Sequence, residues 1–194
     1  TNITQRVDAA VNSALSEKRL VGAVIAVMQD GRLAHFKAYG YADREAGRAM
    51  KEDAIFRLAS ISKPIVTAAA MRMIELGKFK LDTPVTDFLP GFKPKAPDGS
   101  TPVITIRHLL THTAGLSYDF LQPESGPYNT IPVSAGIDGD FTMEDNLNRM
   151  VQAGLTFPPG AMWLYSVAID VLGAILAKAE GTDVDRKSTR LNSS

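Results

Sequence analysis

The sequence predicts an α+β fold: an N-terminal helix, a β-hairpin, then a mainly helical region. Three observations carry this. Residues 3–15 place Ile3, Val7, Ala10, Val11, Ala14 and Leu15 at helical spacing, one stripe wide. Two apolar runs, 22–28 and 33–41, flank Asp30-Gly31, a dipeptide that tolerates the positive φ of a tight hairpin turn. Beyond residue 60 the periodic segments are helical, and the order is not the alternating one of βαβ units.

Each element has its own signal. The run 22–28 reads as a buried strand, and 33–41 returns beside it. A long helix is predicted over 60–76, with Gly77 just past its end. Its Ala68-Ala69-Ala70 run has no polar face, so other elements are expected to enclose it. Pro- and Gly-rich turns fill 82–103. Thr105 is a plausible N-cap for a short helix over 106–113, closed near Gly115. Residues 117–141 hold Pro123, Gly126, Pro127, Pro132, Gly136 and Gly139 and read as a long irregular segment of the kind that borders functional sites. Thr142-Met143-Glu144-Asp145 fits a capping-box start for a helix to about Ala153. Pro158-Pro159-Gly160 breaks the chain. The last helix, 166–178, is expected to pack through Val167, Val171, Leu172, Ile175 and Leu176, with Gly181 beyond it. Residues 1–184 are expected to form one domain. Residues 185–194, rich in cationic and hydroxyl side chains with a single apolar residue, are expected to be a disordered and non-native tail.

Composition excludes several classes. The 194 residues carry 21 basic and 21 acidic side chains, and this neutral balance argues against a nucleic-acid partner. Hydrophobic residues make up 45%, enough for a real core. No apolar run approaches the roughly 20 residues that span a bilayer, so no membrane partner is expected. The chain starts at Thr1 without a basic-then-apolar leader, which favours a cytoplasmic protein. With 0 cysteines there is no disulfide, no thiolate nucleophile and no Cys-based metal site. Three histidines remain, His35, His108 and His112, too few for His-rich metal chemistry. No cofactor or metal is expected.

Three groups could carry chemistry. Ser60 and Lys63 are three apart and share a face at the head of the long helix. Pro64 fits only in a first turn, which independently places the helix start near Ser60. Helix N-terminal N–H groups stabilise negative charge, including a forming oxyanion. The same positive end, with burial, should lower the pKa of Lys63 from about 10.4 towards the range of a base. Ser-x-x-Lys alone is a weak signal; Ser60 or Ser62 could simply cap the helix. Tyr165, at a turn before the last helix, could relay a proton between a serine and a lysine, or be a core aromatic. His112 could be a general base, but reads more readily as a structural histidine ending a short helix, its charge favoured by the helix C-terminus. There is no Gly-x-Ser-x-Gly elbow, no phosphate loop and no His-Glu-x-x-His.

Together these pieces resemble the serine hydrolases of the class C β-lactamase and penicillin-binding-protein superfamily, with their β-lactamase/transpeptidase-like fold. The resemblance rests on Phe56-Arg57-Leu58-Ala59-Ser60-Ile61-Ser62-Lys63, Leu81-Asp82-Thr83-Pro84-Val85, Leu109-Leu110-Thr111-His112-Thr113-Ala114-Gly115-Leu116, Phe157-Pro158-Pro159-Gly160 and Tyr165-Ser166-Val167, in matching order. It implies that Ser60 is the nucleophile, that Lys63 and Tyr165 shuttle the proton, and that the Ser60 N–H is one oxyanion donor. Which of Lys63 and Tyr165 is the base stays open. The substrate implied is a small ester or β-lactam.

Two departures refine this. β-Lactamases and peptidases of this type usually have Tyr-x-Asn, where this chain has Val167, which cannot hydrogen-bond an amide. Tyr165-Ser166-Val167 followed by Ala168-Ile169-Asp170 is more similar to the family VIII carboxylesterases, which implies activity on short acyl esters. The family's third motif, on a late strand with the second oxyanion donor, is not found in residues 1–184. The chain is therefore expected to be C-terminally truncated, to show only the opening hairpin of its sheet with exposed strand edges, and to be inactive on its own.

Overall fold

A computed structural model describes residues 2–136 and 141–181, which divide at Arg57/Leu58 into two compact units. The expected non-native tail lies outside the described residues.

The first unit is a helix on a small antiparallel sheet. Helix α1 (Ile3–Ser16) starts at Asn2, whose side chain accepts the N–H of Thr4 at 3.2 Å. Strands β1 (Gly22–Gln29) and β2 (Arg32–Asp43) are joined by Asp30 and Gly31 at φ 51° and 73°, the double positive φ that the dipeptide foretells. The sheet order is β1-β2-β3. Strand β3 (Arg48–Ala49) pairs with β2, so the hairpin is extended by a short strand that the sequence reading omits. The expected burial of β1 does not hold: none of its residues is fully buried. It is an edge strand paired only with β2 among the described residues. Helix α1 is tied to β2 by polar side chains. The Asp8 carboxylate accepts from Lys37 Nζ at 2.8 Å and from the Tyr39 hydroxyl at 2.6 Å. The Tyr39 proton is then committed, so His35 Nε2, 2.8 Å away, donates to its oxygen.

The second unit is mainly helical: α2 (Ser62–Glu75), α3 (Ile106–Leu110), α4 (Pro127–Thr130), α5 (Met143–Ala153) and α6 (Ala168–Ala179). Helix α6 is the hub. Val171, Leu172 and Ile175 are fully buried along it, together with Ile106 and Leu109 of α3 and Met150 of α5. Completely burying such a side chain contributes about 1.5–3 kcal/mol each, so this stripe outweighs any single hydrogen bond in the unit.

Several boundaries differ from expectation. The predicted helix over 60–76 is split, with one turn of 3₁₀ helix at Ala59–Ile61 preceding α2. Pro64 still falls in the first turn of α2, where its missing N–H is harmless. Helix α2 is not enclosed: Ala70 and Met73 are buried, but Ala68, Ala69 and Met71 are exposed. Helix α3 stops three residues early because His112 takes a left-handed conformation, φ 54°. Its start is capped as predicted at Thr105, whose hydroxyl accepts the His108 N–H while His108 Nδ1 accepts the Thr105 N–H. Thr142 likewise caps α5 through the N–H of Asp145. Helix α6 begins two residues late, at Ala168, whose N–H is taken by Ser166 Oγ at 3.3 Å.

Candidate active site

The sequence motifs meet because two of them are strapped together by backbone hydrogen bonds. His112 C=O accepts from Leu164 N–H at 2.9 Å, Thr113 C=O from Gly160 N–H at 2.8 Å, and Gly115 C=O from Thr156 N–H at 2.7 Å. The strap requires close approach. A Cβ on Gly115 would lie 2.1 Å from Phe157 O, and its φ of +84° is one that only glycine adopts freely. This seam carries Tyr165 to the N-terminal end of α2, because α2 packs on α6 and α6 begins just after Tyr165.

Ser60 sits in the 3₁₀ turn, immediately after Ala59 at φ +46°. A non-glycine residue there costs roughly 1–3 kcal/mol, strain that functional turns commonly hold. The turn keeps Ser60 exposed, and Lys63 Nζ donates to its Oγ at 3.2 Å. The ammonium of Lys63 lies 4.9 Å from the ring centre of Tyr165 and 5.5 Å from that of Tyr118. The three sequence-predicted residues, Ser60, Lys63 and Tyr165, are thus brought together.

Electrostatics corrects one expectation. Burial pulls the Lys63 ammonium down, but polar contacts with the Tyr165 and Tyr118 phenols more than offset it, and its pKa ends above the ordinary value. The shift falls on its partner instead: burial raises the Tyr165 phenol, yet contacts with Lys63 and Ser60 bring it below its ordinary value of 10.0. Tyr118 goes the other way, raised by burial against the lowering contact with Lys63.

The expected charge on His112 does not fit its surroundings. Its Nδ1 accepts the Ser166 N–H at 3.2 Å, which puts the ring proton on Nε2. Burial and then the Lys63 charge lower its pKa. Its ring packs 4.9 Å from that of Tyr165.

Sequence reasoning missed two residues. Tyr118 lies in the turn-rich segment and completes the cage around Lys63; its only signal was membership of a segment expected to border the cleft. Asp170, in the first turn of α6, is raised by burial to about 6 against the lowering pull of Lys63. Its signal was a lone acid near the start of an apolar helix. Val167 is fully buried in the core and adds no polar group to the cleft. Among the described residues no cluster of three His, Cys, Asp or Glu side chains could hold a metal ion, and no helix is long and apolar enough to cross a membrane.

A beta-lactamase family model matches residues 3–190. The chain belongs to the beta-lactamase family. Within this family it is similar to esterase EstB of Burkholderia gladioli, 49% identical over 181 residues that make up 93% of this chain and 46% of the relative. It is also similar to penicillin-binding protein 4 of Amycolatopsis lactamdurans, 32% identical over 88% of this chain and 41% of the relative. Among solved structures, EstCE1, described as a hydrolase with promiscuous acyltransferase activity, superposes with a TM-score of 0.91 at 44% identity, covering 96% of this chain and 49% of that one. The fold is therefore β-lactamase/transpeptidase-like, and the chain spans about half the length of these beta-lactamase-family relatives.

Proposed function

We propose that Ser60, Lys63 and Tyr165 form the catalytic centre of a serine carboxylesterase that works through an acyl-enzyme on short acyl esters. The single observation that carries this is the 3.2 Å hydrogen bond from Lys63 Nζ to Ser60 Oγ, with the Tyr165 ring 4.9 Å from the same ammonium. Tyr165 is the base and Lys63 the permanent cation that makes its phenolate accessible. The Tyr165 phenolate takes the Ser60 hydroxyl proton as Oγ bonds to the ester carbonyl carbon. The oxyanion is met by the Ser60 N–H, the alkoxide leaves with the proton that Tyr165 returns, and the acyl group stays on Ser60. Water then repeats the sequence and releases the acid. The esterase relatives and the apolar Val167 support an ester over an amide.

The test is Ser60→Ala in an active enzyme that carries this sequence. Hydrolysis of a nitrophenyl acetate or butanoate should fall by at least about 10³-fold, and unchanged turnover would end the assignment. The 194 residues alone are expected not to turn over ester, because one oxyanion donor, the Ser60 N–H, is assigned among the described residues. Turnover by the purified chain at the rate of a longer active enzyme would refute that. The second reading, a penicillin-binding module, draws on the 32% identity to penicillin-binding protein 4. A β-lactam adduct on Ser60 that persists without hydrolysis would select it.

A further inference from the structure

The ammonium of Lys63 has three N–H groups and meets three side-chain hydroxyls. Nζ donates to Ser60 Oγ at 3.2 Å and makes polar contacts with the phenols of Tyr165 and Tyr118, whose ring centres lie 4.9 Å and 5.5 Å away. A lysine stem is flexible, and holding it in one rotamer costs roughly 1.5–2 kcal/mol of entropy, so the ammonium stays in place only through its acceptors. Two of the three oxygens change during acyl transfer. Ser60 Oγ becomes an ester oxygen, a poorer acceptor, and Tyr165 takes and returns a proton. The third, on Tyr118, does neither. It is also firmly fixed. Tyr118 is 4% exposed and follows Leu116 and Ser117, both fully buried. Its carbonyl accepts from the Ser117 hydroxyl at 3.1 Å and from the Leu121 N–H at 3.3 Å. Its ring packs 5.5 Å from that of Tyr165.

We propose that Tyr118 is a positioning residue of this site: its hydroxyl holds the Lys63 ammonium beside Tyr165 through the stages in which Ser60 carries the acyl group. This rests on the esterase reading, which supplies the acyl-enzyme. The two phenols on this one cation are tuned apart. Burial raises Tyr118 despite the contact with Lys63, whereas Tyr165 is lowered, so Tyr165 is the phenol that ionises first. The other titratable groups that face the ammonium are Asp170 in the first turn of α6 and His112 after α3, and both interact with it through charge. Neither offers it the fixed hydroxyl that Tyr118 does.

Tyr118→Phe keeps the ring and removes only the oxygen. In the 194-residue chain, tyrosine labelled with carbon-13 at Cζ gives a separate ionisation curve for each phenol, and Tyr165 is identified by its loss in Tyr165→Phe. Tyr118→Phe should move the Tyr165 midpoint to higher pH, because an ammonium that is no longer held drifts away from it. An unmoved midpoint, or one moved to lower pH because Lys63 swings onto Tyr165, would overturn the proposal. In an active enzyme that carries this sequence, rapid mixing with nitrophenyl butanoate separates acylation, seen as nitrophenol release, from hydrolysis of the acyl-enzyme. Tyr118→Phe should slow acyl-enzyme hydrolysis on the order of tenfold and acylation much less, so that the nitrophenol burst grows. Equal slowing of both steps marks a merely structural residue and would also overturn the proposal. Circular dichroism on each variant checks folding. If Ser60→Ala kept full turnover while the Tyr165 midpoint still moved, the esterase reading would fail and the hold of Tyr118 on Lys63 would stand.

Discussion

In the first unit Asp8, Lys37, Tyr39 and His35 meet on one side of β2; in the second, Asp170, Lys63, Tyr165 and His112 meet at the end of α2. The same four residue types are present and the tuning is opposite. Asp8 bonds directly to both Lys37 and Tyr39, which holds its carboxyl below the ordinary range, while burial and that carboxylate push the Tyr39 phenol up to about 12. In the second unit the ammonium contacts the phenols and the serine, and no ion pair joins Lys63 to Asp170 among the described contacts. There the Tyr165 phenol is lowered and the Asp170 carboxyl is raised. Even the cation over the ring is common to both, Lys37 at 5.1 Å from Tyr39 and Lys63 at 4.9 Å from Tyr165. The partner of the phenol oxygen decides the direction: a carboxylate holds the proton more tightly, whereas an ammonium loosens it.

The sharpest break of this comparison is the pair of Tyr→Phe variants. Tyr165→Phe should lower ester hydrolysis about 10²–10⁴-fold in an active enzyme with little effect on folding. Tyr39→Phe should leave hydrolysis unchanged and cost about 1–2 kcal/mol of stability through the lost bond to Asp8, measured by urea unfolding. Equal losses of activity would erase the distinction.

Next in size is Asp170→Asn. Asp170 binds its proton more tightly in the folded chain, with a pKa of about 6 against an ordinary 3.8, so its contribution to stability falls as pH rises through that window. The asparagine variant should be more stable than the parent by about 3 kcal/mol at pH 7, the difference shrinking to about 0.5 kcal/mol near pH 4, read from unfolding curves at both. A constant difference across pH would refute the raised carboxyl.

The smallest effect is spectroscopic. Lys63→Met should move the Tyr165 phenol titration to higher pH, followed by tyrosinate absorbance. Lys37→Met should leave Tyr39 titrating high, because burial and Asp8 remain. A Tyr165 titration unmoved by Lys63→Met would sink the assignment of Lys63 as the tuning cation.

Much of the fold was legible because its signals are local. Asp30-Gly31 dictates the hairpin, Thr105 and Thr142 the starts of α3 and α5, and Pro64 the first turn of α2. Misreadings arose where a long-range contact overrode a local period. The 106–113 pattern continues past Leu110, but the strap from His112 to Leu164 ends the helix there. The apolar run 22–28 reads as buried, but burial depends on what lies beside β1, which periodicity does not encode. The site was half legible. Ser60, Lys63 and Tyr165 belong to recognisable motifs, whereas Tyr118 and Asp170 enter through packing alone.

By itself, then, the sequence determined the long elements, several of their caps and turns, and which serine, lysine and tyrosine compete for chemistry, since these follow from neighbours within a few residues, whereas the short β3 and α4 escaped it. Only the tertiary structure decided the directions in which the Lys63 and Tyr165 pKa values move, the ammonium up and the phenol down. That choice depends on burial and on contacts between residues as far apart as 63, 118 and 165, and electrostatic tuning is set by distance in space rather than along the chain.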